Sequence, residues 1–395
     1  MNQKRISRRY DVDWLRVLAF AGVFLYHCAR FFNADDWNIK NATLSPVAEG
    51  LLNVFELWGM PLLFLISGAS IYFALRPGQA GHFLFDRARR LLVPLALGIL
   101  VLAPPQVYLD RLTHGEFQGN LIQFLPYYYR DWHLFRGNFD WVGVHLWYLE
   151  YLFVFTAALL PLFVALKSPA GRRVLDAVSS FSSRPGAILA WSLPFALVLG
   201  LLDPLSVFGP SLPEYLMRLF MYPLFVLFGY LIVADEHVQA AIAGRGQRRL
   251  SLALAVALSV AGPSIIENVT AHPSPISYWG GMIGAGLLIW CWLLAILGYG
   301  FRYLNVNHRV LAYANEAVLP FYILHQPVIL LVGYFIIPLS LPILVKYLVI
   351  VPLALGFTLG LYEFAIRRVN VVRHIFGMKA RPREVLAARA PARTA

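Results

Sequence analysis

The chain has 395 residues, of which 59% are hydrophobic and only 14% are charged. Soluble proteins average about 45–50% apolar and about 25% charged residues, so this balance excludes an ordinary soluble protein and predicts a polytopic membrane protein. The net charge of +12 would suit a nucleic-acid-binding protein, but the basic residues lie in loops between apolar segments, so no nucleic-acid partner is expected. Cys28 and Cys291 both lie in apolar segments and give no disulfide framework or metal-ligand spacing, so no metal site is expected.

Ten segments have the length and apolarity of membrane-spanning helices. They cover about 13–33, 51–75, 91–109, 145–166, 187–203, 214–234, 249–267, 277–299, 312–337 and 341–366. Most of the 33 Lys and Arg residues fall in alternate loops and at both termini, which places both termini in the cytoplasm and requires an even number of spans. The predicted fold is an all-α membrane domain of about ten transmembrane helices over 1–378, followed by a basic, disordered cytoplasmic tail over 379–395.

The first apolar segment carries ionisable residues that a lipid-facing helix would not tolerate. Eleven helical steps bring Arg16 and His27 onto nearly the same face, roughly 16 Å apart along the axis, and Asp13 and Arg30 fall near that stripe. Because such side chains are costly unless they face a bundle interior or a wet cavity, the helix is predicted to line a polar passage. His27 is either a histidine hydrogen-bonded between helices or a catalytic base or nucleophile toward a hydroxyl or thioester.

Three further groups carry both a structural and a functional interpretation. His145, Trp147 and Glu150 begin the fourth segment in HLWYLE, where the ring residues also fit an interfacial aromatic belt. His325 lies in YILHQP, before a proline that is expected to kink the helix, so it is a structural residue or a site residue. The aromatic loop around 127–141 either stacks on sugar faces or lies at the membrane interface.

Arg87 and Arg90 stand at the cytoplasmic end of the third segment in RARR. They are explained as a topology signal by the positive-inside rule. Arginine clusters also bind phosphate groups, and the two interpretations are compatible.

Seven pieces of the chain, in their order and spacing, resemble the membrane acyltransferase 3 family, and within it the type that succinylates periplasmic glucans. The matching pieces are DVDWLRVLAFAGVFLYH, GMPLLFLISGAS, FDRARRLLVP, HLWYL, YPLFVLFGYLI, FYILHQPVILLVGYFIIP and LYEFAIRRVNVVRHIFG. The resemblance implies a bacterial inner-membrane O-acyltransferase. It would move succinyl or acetyl from cytoplasmic acyl-CoA, its donor substrate, to a hydroxyl of an extracytoplasmic glucan or polysaccharide, with no permanently bound cofactor.

The resemblance also implies roles for residues at matching positions, which are Arg16, His27, the pair Arg87 and Arg90, the pair His145 and Trp147, and His325. His27, Arg16 and His145 are expected to be catalytic. Arg87, Arg90 and Arg16 are expected to hold the phosphates of coenzyme A. The acceptor would contact His145, Trp147, Glu150 and His325.

Two other classes of protein stay open at this stage. A carbohydrate or lipid exporter would also need a polar passage, and would transport its substrate without consuming acyl-CoA. A signalling or scaffold protein would tolerate loss of His27 and Arg87. The sequence leaves the oligomeric state and the identities of acyl group and acceptor open.

Overall fold

The computed structural model describes residues 9–131, 137–204 and 211–381, and within these ranges the chain is helical, with no β-strand. The α-helices, numbered along the chain, are α1 (Tyr10–Ala29), α2 (Pro46–Glu56), α3 (Gly59–Ala74), α4 (Ala80–Leu97), α5 (Ala103–Thr113), α6 (Leu121–Arg130), α7 (Trp147–Leu166), α8 (Pro169–Ser182), α9 (Leu193–Leu202), α10 (Ser211–Ala234), α11 (Glu236–Ala243), α12 (Arg245–Ala271), α13 (Pro275–Tyr303), α14 (Arg309–Ile336), α15 (Ile343–Leu361) and α16 (Asn370–Ile375). The predicted all-α class of membrane protein is confirmed. The cytoplasmic location of the termini stays a prediction, and most of the predicted tail lies outside the described residues.

Nine helical segments of the described chain are long and apolar enough to cross a membrane. They are Tyr10–Phe32, Pro46–Ala74, Ala80–Thr113, Val144–Leu166, Tyr215–Ala234, Arg245–Ala271, Pro275–Tyr303, Arg309–Ile336 and Ile343–Ile366. Each coincides with one of the ten segments predicted from the sequence. The remaining one, the fifth, is different: Ala187–Leu202 passes the same test only together with Pro169–Ser182, to which it is bent by 117°.

The break before the fifth segment has a local cause. Gly186 has a φ of 75°, a left-handed backbone conformation that glycine adopts without strain, and it directly follows Pro185. A proline–glycine pair ends a helix, so apolarity alone made this segment look like an independent span. The described residues therefore contain nine candidate spans, or ten if the bent pair counts as one.

The chain divides into two compact units. Unit 1 comprises Met1–Val23, Gly50–Leu84 and Val154–Asn315, and unit 2 comprises Phe24–Glu49, Phe85–Phe153 and Glu316–Ala395. Arg16 therefore belongs to unit 1, whereas His27 belongs to unit 2, although both lie on α1.

Unit 1 contains a very close helix pair, α3 against α10. A Cβ atom added at Gly68 would lie 1.9 Å from the carbonyl oxygen of Val226, and one added at Gly229 would lie 1.8 Å from that of Leu65. Small residues at such crossings let two helix backbones come into van der Waals contact, and this contact helps helices to associate in membranes. At the C-terminal end of α3, Lys167 donates hydrogen bonds to the carbonyl oxygens of Tyr72 and Leu75.

Unit 2 packs the end of α1 against α14 and α15. Phe31 is fully buried, and its ring occupies the space beside Gly333, where a Cβ atom would lie 2.2 Å from the ring. Cys28, Ile329 and Ile350 complete this core and are likewise fully buried. Because Cys28 directly follows His27, this packing fixes His27 against α14.

The segment after α5 forms a small core of its own in unit 2. Phe124, Tyr128 and Phe139 are buried, and the Tyr128 hydroxyl donates a 2.7 Å hydrogen bond to the carbonyl oxygen of Ile99. Part of the aromatic content of the 127–141 loop is thus structural, while Trp141 remains 42% exposed. Residues 132–136 of that loop lie outside the described part of the chain.

Candidate active site

Three histidines, one from each of three distant parts of the sequence, meet in unit 2. His27 lies near the end of α1, His145 in the 3₁₀ turn Val144–Leu146 that begins the fourth span, and His325 in the middle of α14. The ring centroids of His27 and His325 are 5.0 Å apart, those of His145 and His325 are 5.0 Å apart, and those of His27 and His145 are 6.4 Å apart. Local patterns identified each residue separately, and only the family resemblance implied that the three serve one reaction.

The turn before His145 is built to present that side chain. Gly143 and Val144 both have left-handed backbones, with φ values of 68° and 61°, and for a β-branched residue this conformation is strained. The Asp140 carboxylate holds the turn by accepting hydrogen bonds of 2.9 Å from the backbone N–H groups of Val142 and Val144. Strain that is held by such bonds is typical of functional sites.

α14 presents His325 next to a proline. Pro327 has no N–H group, so the carbonyl of Ile323 loses its helical partner and the helix backbone opens locally. In this region the carbonyl oxygen of Tyr322 accepts two additional hydrogen bonds, from Nδ1 of His325 at 2.6 Å and from Nε2 of His145 at 3.0 Å. The Tyr322 hydroxyl in turn donates to the carbonyl oxygen of His145.

The position of each proton in the neutral cluster follows from this carbonyl, which can only accept. His325 must carry its proton on Nδ1, because that atom donates to the carbonyl oxygen of Tyr322. Its Nε2 is then an acceptor, so the 2.8 Å contact with Nδ1 of His27 makes His27 the donor. Nε2 of His27 is left with its lone pair, which is the form that a general base or a nucleophile needs.

The three rings differ in their surroundings. His325 is 1% exposed and His145 is 5% exposed, whereas His27 is half-buried. His27 is held between His325 and Trp37, whose ring is nearly parallel to it at an interplanar angle of 7° and a centroid distance of 6.2 Å. Trp37 was missed at the sequence level, because a single tryptophan in a polar loop carries no periodic signal.

His145 has one nitrogen without a partner. Its Nε2 donates to the carbonyl of Tyr322, so Nδ1 carries the lone pair, and this atom is buried without a hydrogen-bond partner within the described residues. A buried acceptor in this state calls for a donor from outside, because such groups are nearly always satisfied. A hydroxyl group of a bound molecule would supply one.

Arg16 and Arg30, two other residues predicted on the first helix, each bond to neighbouring side chains. Arg16, in unit 1, bonds to Asp13 at 3.2 Å, to the hydroxyl of Ser70 at 2.7 Å and to Oδ1 of Asn315 at 3.1 Å. Arg30 directly follows α1, which ends at Ala29, and begins a 3₁₀ turn. Arg30 pairs there with Asp35 of the following loop.

Arg87 and Arg90 lie one turn apart on α4, in unit 2. The C-terminal segment passes next to them: a Cβ atom added at Gly377 would lie 2.5 Å from the carbonyl oxygen of Arg90. Between these two arginines, Arg89 donates a 3.1 Å hydrogen bond to His374 of α16.

Trp147 and Glu150 lie on the first turns of α7. The Trp147 ring packs edge-to-face on Tyr151 with a centroid distance of 5.8 Å. Oε2 of Glu150 is buried and lacks a hydrogen-bond partner within the described residues. Neither observation assigns these residues to a bound sugar, which remains a prediction.

Comparison with known proteins identifies the family of the chain. The family described as "Acyltransferase domain" matches residues 9–363. "Glucans biosynthesis protein C" of Escherichia coli strain SMS-3-5 and that of strain K12 are each 21% identical over 393 residues, covering 96% of this chain and 97% of the relative. The resemblance stated from the sequence is thus confirmed. No solved structure gives a significant match.

Proposed function

Because the chain belongs to the acyltransferase family that matches residues 9–363, we propose that it is an acyl-CoA-dependent O-acyltransferase of the bacterial inner membrane. Its acceptor would be a hydroxyl group of a glucan or related saccharide outside the cytoplasm; the name of its relatives, "Glucans biosynthesis protein C", supports the choice of a glucan. The acyl group would be succinyl or acetyl. The observation that carries the proposal is the free Nε2 of His27, which His325 and the carbonyl of Tyr322 fix in its basic form.

The chemical step starts with an acceptor hydroxyl next to Nε2 of His27. As the hydroxyl oxygen attacks the thioester carbonyl, Nε2 takes its proton, and Nδ1 donates more strongly to His325 as the ring becomes positively charged. Collapse of the tetrahedral intermediate breaks the carbon–sulfur bond, and the proton passes from Nε2 to the departing thiolate. His145, through its unpartnered Nδ1, would accept a hydrogen bond from a hydroxyl of the acceptor.

The same lone pair would also serve a two-step route. In that route Nε2 attacks the thioester and the thiolate leaves. The acyl-imidazole then passes its acyl group to the hydroxyl oxygen, and the hydroxyl proton goes to Nε2 and from there to the thiolate. Incubation with a labelled acyl donor but no acceptor separates the routes, because only the two-step route leaves label on His27.

His27→Ala is the direct test of the proposed base. We expect transfer of labelled succinyl from succinyl-CoA to fall by about 10²- to 10⁴-fold, which is the usual contribution of a general base. His237→Ala is the matched control, because His237 is an exposed histidine of unit 1 whose ring faces Asp235. Wild-type transfer by folded His27→Ala protein would exclude His27 as the base. Glycan export without acyl-CoA consumption would instead show the exporter.

Arg87 and Arg90 are the proposed contacts of the coenzyme phosphates, because guanidinium groups bind phosphate in a bidentate manner. We expect coenzyme A to raise the melting temperature of the purified wild-type protein, and Arg87→Ala/Arg90→Ala to abolish this stabilisation. The control is Arg172→Ala/Arg173→Ala, an exposed arginine pair on α8 of unit 1. Equal stabilisation of both double variants would exclude this phosphate site.

A further inference from the structure

A cavity of unit 2 is lined by residues other than His27, His145 and His325. Its volume is about 600 Å³, within the usual range of roughly 300–1,000 Å³ for small-molecule sites. Its walls come from the loop after α1, the end of α5, and the end of α14 with the turn into α15. The lining residues are Ile39, Lys40, Asn41, Ala42, Thr43, Thr113, His114, Tyr334, Ile337, Pro338, Leu339, Ser340, Leu341 and Lys346. Two are lysines, and none is acidic.

Lys346 is the unusual member of this lining. It is only 6% exposed, and its ammonium group donates to Oδ1 of Asn41 at 2.7 Å and to the carbonyl oxygen of Ile337. Both acceptors are neutral, and the third N–H of the ammonium has no partner within the described residues. By contrast, Arg373, which is 5% exposed, pairs with Glu316 at 2.8 Å.

A buried cation without a counter-ion is costly, and proteins normally pair such charges. Lys346 also stands in the first turn of α15, whose N-terminal N–H groups receive no side-chain cap from Pro342. Uncapped helix N-termini carry a partial positive charge and bind anions. Carboxylates act on other lining residues: Asp36 and Asp110 approach His114 at 3.8 and 3.6 Å, and Asp35, Asp36 and Glu49 act on Lys40. Among the described residues, no salt bridge is found for Lys346.

The rest of the lining fits a sugar. Hydroxyl groups of Thr43, Thr113 and Ser340 share the cavity with apolar groups such as Ile39 and Pro338. A pyranose ring presents the same combination, with hydroxyl groups at its edge and C–H groups on its faces.

The cavity is also placed along the path that an acceptor chain would follow within unit 2. Ile39 lies two residues after Trp37, which stacks on His27. Tyr334 lies nine residues after His325 on α14, which is roughly 14 Å along the helix axis. A saccharide with one unit at His27 would therefore reach the cavity with a unit further along its chain.

We infer that this cavity binds an acidic sugar unit, one bearing a carboxylate or phosphate group, with Lys346 as its counter-ion. That this unit is part of the acceptor rests on the proposed function, whereas the acid-sugar site itself does not.

Binding of glucuronate to the purified full-length protein, measured by calorimetry without any acyl donor, tests the site. We expect glucuronate and glucose 6-phosphate to bind and glucose to bind far more weakly. Lys346→Gln should weaken glucuronate binding by roughly 10- to 100-fold, the loss expected for a hydrogen bond to a charged group. Lys167→Met is the matched control, because Lys167 also donates to backbone carbonyls but lies in unit 1.

Ser340→Trp fills the cavity and leaves Lys346 in place. It should weaken glucuronate binding, and it replaces Lys346→Gln as the test if that variant does not fold. The inference is overturned if glucose and glucuronate bind equally, or if folded Lys346→Gln and Ser340→Trp both bind glucuronate as the wild type does. Binding of phosphatidylglycerol in nanodiscs, with no glucuronate binding, would show a lipid-headgroup site and also overturn it. Glucuronate binding without acyl transfer would support the acid-sugar site and refute only the proposed function.

Discussion

Replacing His325 should lower the activity of the proposed base, His27, although His27 itself is unchanged. In His325→Ala, Nδ1 of His27 loses the acceptor that lies 2.8 Å away, and nothing then fixes which nitrogen of His27 carries the proton. His325 is 1% exposed, so the site it leaves is closed to bulk water, and water cannot freely replace the ring as acceptor.

The size of the effect follows from the bond that is lost. During proton transfer His27 becomes an imidazolium, and its hydrogen bond to His325 becomes one to a charged group, which is worth about 1.5–3 kcal/mol. Loss of that bond in the transition state lowers kcat by roughly 10- to 150-fold, since each 1.4 kcal/mol is a factor of ten. KM for the acyl donor should hardly change, because His325 acts through His27 and not on the coenzyme.

The assay is steady-state transfer of labelled acyl groups by purified protein in nanodiscs. His325→Gln gives a conservative comparison, because its amide oxygen can accept from His27 and part of the activity should return. Equal kcat values for folded His325→Ala and wild type, or a loss confined to KM, would refute the proton assignment.

Three further predictions concern stability and the rest of the site. Gly68→Ala should lower the free energy of unfolding by about 1–3 kcal/mol or more, because the added methyl group meets a backbone carbonyl oxygen of α10. Gly356→Ala is the control and should have little effect, because no atom outside its own helix backbone lies within 4 Å of the added Cβ. Thermal unfolding in detergent compares the two variants. Tyr322→Phe removes the hydroxyl bond to the backbone of His145, which should cost about 0.5–1.5 kcal/mol and leave most of the activity, as a transfer assay would show. Burial acts to raise the pKa of Asp235, but hydrogen bonds from Ser179 and from the start of α11 outweigh it and hold that pKa below its usual value. The ionised carboxylate therefore stabilises the folded protein at pH values above the unfolded-state pKa of Asp235. This stabilisation is lost as the pH falls through the folded-state pKa. The free energy of unfolding, measured as a function of pH, would contradict this if Asp235→Asn behaved like the wild type.

Hydropathy predicted the spans well because a lipid-exposed helix needs only length and apolarity. That is why nine of the ten predicted segments coincide with helices, although the ends differ by several residues. The fifth segment shows the limit of the method. Its 16 residues are apolar enough, but the turn at Gly186 makes it one arm of a bent pair.

The site was predicted residue by residue and not as an arrangement. Each histidine was recognisable because an imidazole in an apolar segment is unusual. Their meeting depends on close packing such as that of Phe31 on Gly333, which no local pattern encodes. Lys346 did carry a signal, because it is one of only two charged residues in the apolar last segment, the other being Glu363, but its importance depends on the cavity next to it.

The cluster also changes the physical argument made from His27. From the sequence, His27 is expected to need a wet cavity within the hydrocarbon, and this expectation predicts a polar passage. In the structure two imidazole donors share one backbone carbonyl and the third donates to a neighbouring ring, so every N–H of the neutral cluster is satisfied without water. His27 can therefore reside in the membrane for structural reasons alone, and the passage remains a prediction. Structural packing does not explain the lone pair on Nδ1 of His145, which is buried without a partner in the described part of the chain. The proton assignment leaves a second lone pair on Nε2 of His27, and the proposed chemistry takes place at these two atoms.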